Sequence, residues 1–192
     1  MARVLVPLAT GFEEIEAVTV IDILRRAGID VVVAGLEPGP VQGSHGITVA
    51  ADQDLSAVID QRFDMVALPG GMPGAANLQR DSRIVPLLQR TSRDGGVIAA
   101  ICAAPMVLAA AGLLQGHRAT SYPGFLDPAA VPGMVISDQA VVSDGNRVTS
   151  RGPGTAMDFA LALVENLLGS KQRQAVEQTL QRPVISSEPR DQ

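Results

Sequence analysis

Short apolar runs alternate with longer segments of helical period over most of the chain. The apolar runs predict strands at residues 4–8, 30–34, 63–68 and 97–101. The helical period predicts helices at residues 13–27, 82–93, 103–111, 155–168 and 171–180. Strands that are apolar on both faces are typical of a parallel sheet with helices on both sides. We therefore predict an α/β fold, a flavodoxin-like three-layer sandwich with a mostly parallel central sheet.

Two stretches depart from this alternation. Residues 47–51 follow a loop rich in glycine and proline and predict a short strand or a hairpin arm. Residues 140–142 and 148–150 flank Asp144-Gly145-Asn146, which is a hairpin turn signal. Because no internal repeat or linker interrupts the chain, we predict one domain over residues 1–185 and a frayed tail over residues 186–192.

The composition excludes several classes of protein. Fifteen Lys and Arg against twenty Asp and Glu give a net charge of −5, whereas a nucleic-acid-binding protein normally carries a basic surplus. One cysteine rules out an intramolecular disulfide and any multi-cysteine metal cluster. The two histidines, His45 and His117, lack the spacing of metal ligands. We therefore predict no metal site and no specific binding of nucleic acid.

The uncharged stretch 95–114 is the candidate for a membrane span. It is rich in alanine and glycine and contains Pro105, so its hydropathy per residue is low for a span. A buried strand followed by a buried helix accounts for it better. The N-terminus, with one basic residue and a short apolar run before Glu13 and Glu14, does not fit a signal peptide. We expect a cytoplasmic protein that does not contact membranes.

The lone cysteine, Cys102, occupies a position that is typical of a nucleophile. It lies between a predicted strand ending at Ile101 and a predicted helix beginning at Ala103. A lone cysteine among apolar residues is most often a small buried hydrophobic residue. A tight strand-to-helix turn at the positive end of a helix instead lowers the pKa of a thiol and favours the thiolate. We interpret Cys102 as a reactive nucleophile.

Glu16 is a carboxyl on the apolar side of a predicted helix, where it falls between Ile23 and Ala27 on a helical wheel. A carboxyl in the first turn can simply offset the helix dipole, but Glu13 and Glu14 suffice for that. An acid in an apolar groove has a raised pKa and can stay protonated. Glu16 could then donate a hydrogen bond to a thiolate or move protons.

Gly70 and Gly71 follow a predicted strand, and most such stretches are turns. Glycines at the carboxyl end of a strand also let backbone N–H groups approach a ligand closely, as in an oxyanion hole. Ligands of open α/β sheets bind beyond the carboxyl ends of the strands. We therefore expect Gly70 and Gly71 to meet Cys102 and Glu16 at that edge.

Four motifs, taken together, resemble a known family. They are Gly11-Phe12-Glu13-Glu14-Ile15-Glu16, Leu68-Pro69-Gly70-Gly71, Ala99-Ala100-Ile101-Cys102-Ala103-Ala104-Pro105 and Ser150-Arg151-Gly152-Pro153-Gly154-Thr155. In order and spacing they resemble the ThiJ/PfpI superfamily, in the subgroup of the parkinsonism-associated protein deglycase and its bacterial relatives, over roughly residues 3–183.

The resemblance implies a fold, an assembly and site residues. The implied fold is flavodoxin-like, of the class I glutamine amidotransferase type, and the implied assembly is a homodimer without a cofactor. The implied nucleophile is Cys102, with Glu16 as its protonated partner. The resemblance also implies that backbone N–H groups stabilise an oxyanion, those of Gly70, Gly71 and Ala103.

The chain departs from the family's patterns in three places. Ala103 follows the nucleophile where the protease-like branch has a histidine, so a Cys-His peptidase dyad is not expected. Tyr122 stands where many deglycase relatives have a histidine near the pocket, and His45 where some have an arginine at the pocket mouth. Arg26 and Arg151 match positions near the dimer interface and the pocket mouth. We therefore predict four candidate substrate-binding residues. They are His45, Tyr122, Arg26 and Arg151, and the alternative is that these are ordinary side chains in solvent.

Two apolar residues support the implied homodimer. Ile15 and Val18 lie outside the core-facing arc of their predicted helix. Apolar side chains left outside the core are suited to a contact between subunits.

The leading functional hypothesis is a cofactor-independent enzyme that converts reactive dicarbonyls such as methylglyoxal to a hydroxy acid, or acts on their early glycation adducts as a protein deglycase. Cys102 would add to the aldehyde and Glu16 would move a proton. The alternative is an oxidative-stress sensor or redox-regulated chaperone in which Cys102 becomes a sulfinate. A hydrolase or amidotransferase-type domain is a weaker third hypothesis, because the Cys-His-Glu partners are missing from the sequence.

Overall fold

The computed structural model describes residues 1–182, so the predicted tail and the last residues of the predicted domain lie outside the described part. The strands are β1 (Arg3–Leu8), β2 (Asp30–Gly35), β3 (Pro40–Gln42), β4 (Thr48–Ala50), β5 (Gln53–Asp54), β6 (Met65–Leu68), β7 (Val97–Ile101), β8 (Arg118–Ala119), β9 (Val135–Ile136), β10 (Val141–Asp144) and β11 (Arg147–Ser150). The helices are α1 (Glu14–Arg26), α2 (Leu55–Val58), α3 (Gly74–Arg80), α4 (Ile84–Arg93), α5 (Pro105–Ala110), α6 (Ala156–Leu168) and α7 (Ser170–Thr179).

Seven strands form the central sheet, in the spatial order β10-β11-β7-β6-β1-β2-β5. Neighbouring strands pair in parallel, except that β10 pairs antiparallel with β11 at one edge. The prediction of a mostly parallel sheet in a flavodoxin-like sandwich is confirmed. Because β1, β6 and β7 are neighbours in the middle of the sheet, the loops that follow them open at one place.

Alternating side chains of β1 contribute to two separate cores. Val4 and Val6 pack on one side of the sheet in a cluster that includes residues of α1 and α6. Leu5 packs on the other side, in a cluster that includes residues of α4 and α5. Successive side chains of a strand point to opposite faces. The continuous apolar runs in the sequence therefore follow from a helical layer on each side.

Most predicted elements are present with shifted ends. The predicted strand 63–68 begins at Met65, and the predicted helix 103–111 begins at Pro105. The stretch 40–42, which reads as a loop, pairs with β4 as a hairpin, and the predicted hairpin of β10 and β11 is present. The pattern does not predict α2 or α3. Helix α2 is too short to show a period, and α3 begins inside a stretch rich in glycine and proline.

Among residues 1–182, no helix is both long enough and apolar enough to cross a membrane. The uncharged stretch 95–114 instead contains the buried strand β7 and the short helix α5, as the sequence predicts.

Candidate active site

Cys102 lies in a tight turn directly after β7. The backbone N–H of Cys102 donates to the carbonyl of Ser150, at the end of β11, over 2.9 Å. The carbonyl of Cys102 accepts the N–H of Tyr122, also over 2.9 Å. The φ angle of Cys102 is 63°, in the left-handed region that costs a non-glycine residue about 1–2 kcal/mol. The fold thus holds this side chain at a conformational cost, as functional sites often do.

Helix α5 begins later than the sequence predicts. Its first residue is Pro105, and it is only 6 residues long. The positive end of a helix therefore does not lie directly at the sulfur. The backbone N–H groups of Gly71 and Ala103 lie near the Cys102 thiol instead, and they lower its pKa.

Glu16 is fully buried on α1, as its place on the helical wheel predicts. Its Oε2 accepts the backbone N–H of Gly70 over 2.8 Å. The Cys102 thiol interacts with the carboxyl, but Oε1 has no hydrogen-bond partner of proper geometry among residues 1–182. Because an unpaired buried oxygen costs free energy, this atom is suited to receive a proton or a ligand.

The close approach of these segments requires glycine at position 70. A Cβ on Gly70 would lie 2.7 Å from Cys102 Cβ and 2.8 Å from Glu16 Oε2. The N–H of Gly70 is also committed to Glu16. The predicted role of Gly70 as an oxyanion donor is therefore corrected, because its N–H holds the carboxyl. Gly71 and Ala103 are the donors beside the sulfur.

Glu16 and Cys102 form a coupled pair of acids. Burial raises the pKa of Glu16 to about 7, against the lowering effect of the Gly70 N–H and the thiol. Burial, and then the neighbouring Glu16 charge, raise the pKa of Cys102 to about 12, against the lowering effect of the Gly71 and Ala103 N–H groups. The expectation of a lowered thiol pKa is therefore wrong. The effect of a helix N-terminus on a thiol is outweighed here by the loss of solvent and by the adjacent carboxylate.

Near neutral pH, Glu16 exists in both protonation states. The carboxylate can accept the proton of the Cys102 thiol, and the acid can donate a hydrogen bond to a thiolate. The state with one proton on Glu16 and the state with that proton on Cys102 have the same total charge. The pair therefore titrates as a unit. The site can thus activate a nucleophile and move a proton.

A cavity of about 300 Å³ lies next to the nucleophile. Its lining includes the side chains of Tyr122 and Arg151 and the residues around Gly152. A Cβ on Gly152 would lie 4.0 Å from Cys102 Sγ, so the cavity begins close to the sulfur. Two of the four candidate substrate-binding side chains, Tyr122 and Arg151, therefore lie at the site.

His45 and Arg26 do not line this cavity, so their role in binding a substrate stays a prediction. The His45 side chain is 70% exposed, and its Nδ1 lies 3.0 Å from Glu14 Oε2. Arg26 pairs with Asp22 over 2.6 Å. Arg26 lies one residue short of three helical turns beyond Glu16 on α1, which places it about 15 Å away along the helix axis.

Glu14 is a buried carboxyl that does more than offset the helix dipole, the role that the sequence predicts for it. It accepts the backbone N–H groups of His45 over 2.7 Å and of Ile47 over 3.3 Å. Burial opposes its ionisation, but hydrogen bonds from its own N–H, from His45 and from Ile47 lower the pKa of Glu14 to about 2. The same contact raises the pKa of His45. Glu14 thus anchors the β3–β4 hairpin loop to the start of α1.

The residues Glu13, Glu14 and His45 each offer a ligand atom within 4.8 Å of the others. The hydroxyl of Ser44 lies 3.3 Å from an oxygen of each of the two carboxylates. These contacts are accounted for by hydrogen bonds of the loop anchor. That the chain holds no metal stays a prediction.

Residues 2–166 match the model of the DJ-1/PfpI family. The chain belongs to the DJ-1/PfpI family. This finding confirms the resemblance that the four motifs carry, and it covers all the residues that converge at Cys102.

Relatives in the DJ-1/PfpI family cover most of the chain. Protein dj-1beta of Drosophila melanogaster is 45% identical over 173 residues, which are 90% of this chain and 92% of that protein. The glutathione-independent glyoxalase DJR-1.2 of Caenorhabditis elegans is 39% identical over 157 residues, 82% of this chain and 83% of that protein. The structure of oxidized Toxoplasma gondii DJ-1 superposes with a TM-score of 0.88 at 42% identity, covering 94% of this chain and 98% of that one.

Proposed function

We propose that this DJ-1/PfpI protein is a cofactor-independent enzyme that converts α-oxoaldehydes such as methylglyoxal to 2-hydroxy acids. The observation that carries the proposal is the pairing of the partly exposed Cys102 thiol with Glu16, a buried carboxyl with a pKa of about 7. The Caenorhabditis elegans relative, named as a glutathione-independent glyoxalase, supports it. A thiol built into the protein takes the place that glutathione would otherwise fill.

The first step joins the sulfur to the substrate. Cys102 Sγ attacks the aldehyde carbon while the thiol proton passes to the Glu16 carboxylate. The C=O π bond breaks, and its oxygen takes the proton back, which gives a hemithioacetal. The N–H groups of Gly71 and Ala103 stabilise the negative charge that develops on this oxygen.

The second step moves hydrogen between the two carbons. The Glu16 carboxylate removes the hydrogen of the former aldehyde carbon as a proton, and the electron pair shifts through an enediol. Glu16 then returns the proton to the neighbouring carbon, and the hydroxyl proton of the first oxygen passes to the second oxygen. The product is a thioester of a 2-hydroxy acid. Water cleaves the C–S bond and regenerates the thiol. One carbon is oxidised as its neighbour is reduced, so no external oxidant or reductant is needed.

The same site supports action on early glycation adducts. When an amine or a thiol adds to methylglyoxal, the carbinol carbon keeps its neighbouring carbonyl. Cys102 Sγ would displace the amine or thiol at that carbon, and the thiol proton would pass through Glu16 to the leaving nitrogen or sulfur. The same hemithioacetal would follow. Deglycation would therefore use the same reaction sequence on a second kind of substrate. The kcat/KM for free methylglyoxal, compared with the kcat/KM for its amine and thiol adducts, distinguishes the two activities.

Steady-state formation of lactate from methylglyoxal tests the proposal. Cys102→Ser should abolish it, and Glu16→Gln should lower it by about 10²–10⁴, the usual contribution of general acid–base catalysis. The wild-type rate should rise with pH through about 7, where Glu16 becomes a base. Glu37→Gln, at an exposed carboxyl, is the matched control and should leave the rate unchanged. Turnover that survives in Cys102→Ser would reject the proposal.

An oxidative-stress sensor is the second candidate. In its acid form, the unpartnered Oε1 of Glu16 could donate a hydrogen bond to a Cys102 sulfinate. A relative of known structure is described as oxidized. Under mild peroxide, Glu16→Gln should then change the accumulation of sulfinate measured by mass spectrometry while dicarbonyl turnover stays nearly unaltered. A large loss of turnover in the same variant favours the enzyme.

We also propose that the protein is a homodimer located in the cytoplasm. On α1, Ile15 and Val18 are 57% and 47% exposed, which supports their role in a subunit contact. Sedimentation measurements on the wild type and on Ile15→Ser test the assembly. Ile15→Ser should weaken the dimer. A wild-type protein that stays monomeric at micromolar concentration would exclude the homodimer.

A further inference from the structure

Gly152 is a glycine at a position where the backbone does not require one. Its φ and ψ angles are 164° and −167°, an extended conformation that any residue adopts. A Cβ at this position would lie 3.4 Å from Tyr122 Cδ2 and 4.0 Å from Cys102 Sγ, which are ordinary contact distances. An alanine would therefore fit, but its methyl group would occupy the space between the aromatic ring and the sulfur. Glycine keeps that space open.

The Tyr122 ring is held in place beside the nucleophile. Its backbone N–H is bonded to the Cys102 carbonyl over 2.9 Å, and its ring meets the ring of Phe125 edge-on, with centroids 6.2 Å apart. The residue nevertheless remains 49% exposed and lines the cavity. A fixed aromatic surface is thus left uncovered next to the reacting atom.

The cavity walls are mostly apolar. Besides Tyr122 they include Pro123, Gly152 and Pro153, and Arg151 is the charged residue among them. The volume of about 300 Å³ is at the lower end of the range for small-molecule sites. The methyl group of methylglyoxal would fill only a small part of it.

We infer that Tyr122 and Gly152 form a subsite for the R group of an R–CO–CHO substrate, and that the subsite favours flat apolar groups such as an aryl ring over methyl. This inference rests on the proposed function and names the substrate class that the site selects. The R group stacks on the Tyr122 ring and passes over the Gly152 backbone, while the aldehyde carbon reaches Cys102 Sγ. Tyr122 is a specificity-determining surface here, and its hydroxyl takes no part.

Alkylation of Cys102 tests the subsite independently of turnover. The probes are iodoacetamide and its N-phenyl derivative iodoacetanilide, and the measured quantity is the ratio of their rate constants. Gly152→Ala should lower the iodoacetanilide-to-iodoacetamide ratio by about tenfold or more, because the methyl blocks the path of the ring. Tyr122→Ala should lower it by about two- to tenfold, the usual contribution of an aromatic contact.

Two further variants serve as controls for these rates. Tyr122→Phe keeps the ring and should retain the wild-type ratio. Ile136→Ala removes an exposed apolar side chain on β9, where 43% of the residue is exposed, and should also leave the ratio unchanged. A ratio that falls in Tyr122→Phe would assign the effect to the hydroxyl and overturn the stacking surface.

Initial rates of turnover extend the test to substrates. The wild type should show a higher kcat/KM for phenylglyoxal than for methylglyoxal, and Gly152→Ala should reverse or abolish this preference. If both alkylation and turnover ratios stay unchanged in Gly152→Ala and Tyr122→Ala, the subsite is overturned. If the alkylation ratio changes as expected but the wild type turns over neither aldehyde, the subsite stands and the proposed function fails.

Discussion

The backbone N–H of Gly70 donates a hydrogen bond to Glu16 Oε2 over 2.8 Å, and so links the loop after β6 to the first turn of α1. This contact fixes a buried acid beside a thiol whose pKa the charge of that acid raises. It leaves Oε1 without a partner among the described residues. The protonation state of each group therefore depends on the other.

The first prediction concerns the thiol. Glu16→Gln should lower the pKa of Cys102 relative to wild type, because the charge and the hydrogen bond of the carboxylate both raise it. The N–H groups of Gly71 and Ala103 remain to stabilise the thiolate. The ultraviolet absorbance of the thiolate, measured against pH, gives the midpoint. Glu37→Gln should leave it unchanged, and an equal midpoint in both variants would mean that burial alone sets the pKa.

The second prediction concerns stability. The pKa of Glu16 is raised from 4.5 to about 7 on folding, so the folded state binds this proton more tightly and wild type loses stability as pH rises between these values. The Glu16→Gln variant has no ionisable group at this position, so it does not lose stability in this way as pH rises. Its free energy of unfolding relative to wild type should therefore grow from pH 4.5 to pH 7, by up to about 3 kcal/mol, and then level off. Urea titrations at several pH values measure the difference. A difference that does not vary with pH would contradict the burial of an ionisable Glu16.

The third prediction concerns the hairpin anchor. Glu14→Gln should destabilise the protein at pH 7 by about 1–3 kcal/mol, because the N–H groups of His45 and Ile47 lose a charged acceptor. The pKa of Glu14 falls from 4.5 to about 2 on folding, so its contribution is present above 4.5 and is lost as pH falls towards 2. The difference between variant and wild type should shrink over that interval. A constant difference in denaturant titrations would exclude the ionised anchor.

The fourth prediction compares two glycines with similar backbones. Gly71 and Gly28 have φ angles of 87° and 79°. A Cβ on Gly71 would lie 2.3 Å from the backbone nitrogen of Glu13, whereas a Cβ on Gly28 would meet nothing within 4 Å. Gly71→Ala should therefore cost about 2–5 kcal/mol in stability, and Gly28→Ala about 1 kcal/mol. Equal costs in thermal unfolding would show that the loop after β6 yields to the added methyl.

The sequence predicts the parts of this molecule that depend on local pattern. Apolar runs and helical period predict the strands that carry the site, and the helical wheel predicts that Glu16 is buried. The position of Cys102 after β7 predicts its tight turn. Each of these inferences uses residues that are neighbours in the chain or on one helix face.

The contacts that tune the site lie outside the reach of local pattern. The hydrogen bond from Gly70 to Glu16 joins residues 54 positions apart, and the anchor of His45 on Glu14 joins residues 31 positions apart. The thiol pKa depends on loss of solvent and on the Glu16 charge, which arise only when the sheet is assembled. The position of Cys102 before a helix therefore predicts the wrong direction for the shift of its pKa.

The wide spacing of the contributing segments makes the thiol an indicator of the complete fold. Three distant segments contact Cys102. Ser150 accepts its backbone N–H, Glu16 on α1 is its acid partner, and the loop after β6 supplies the Gly71 N–H and holds Glu16 in place. A chain cut between Glu16 and Ser150 would separate at least two of these. A partly assembled sheet would likewise offer a cysteine of ordinary reactivity. The rate at which Cys102 reacts thus reports the fraction of molecules that are fully native.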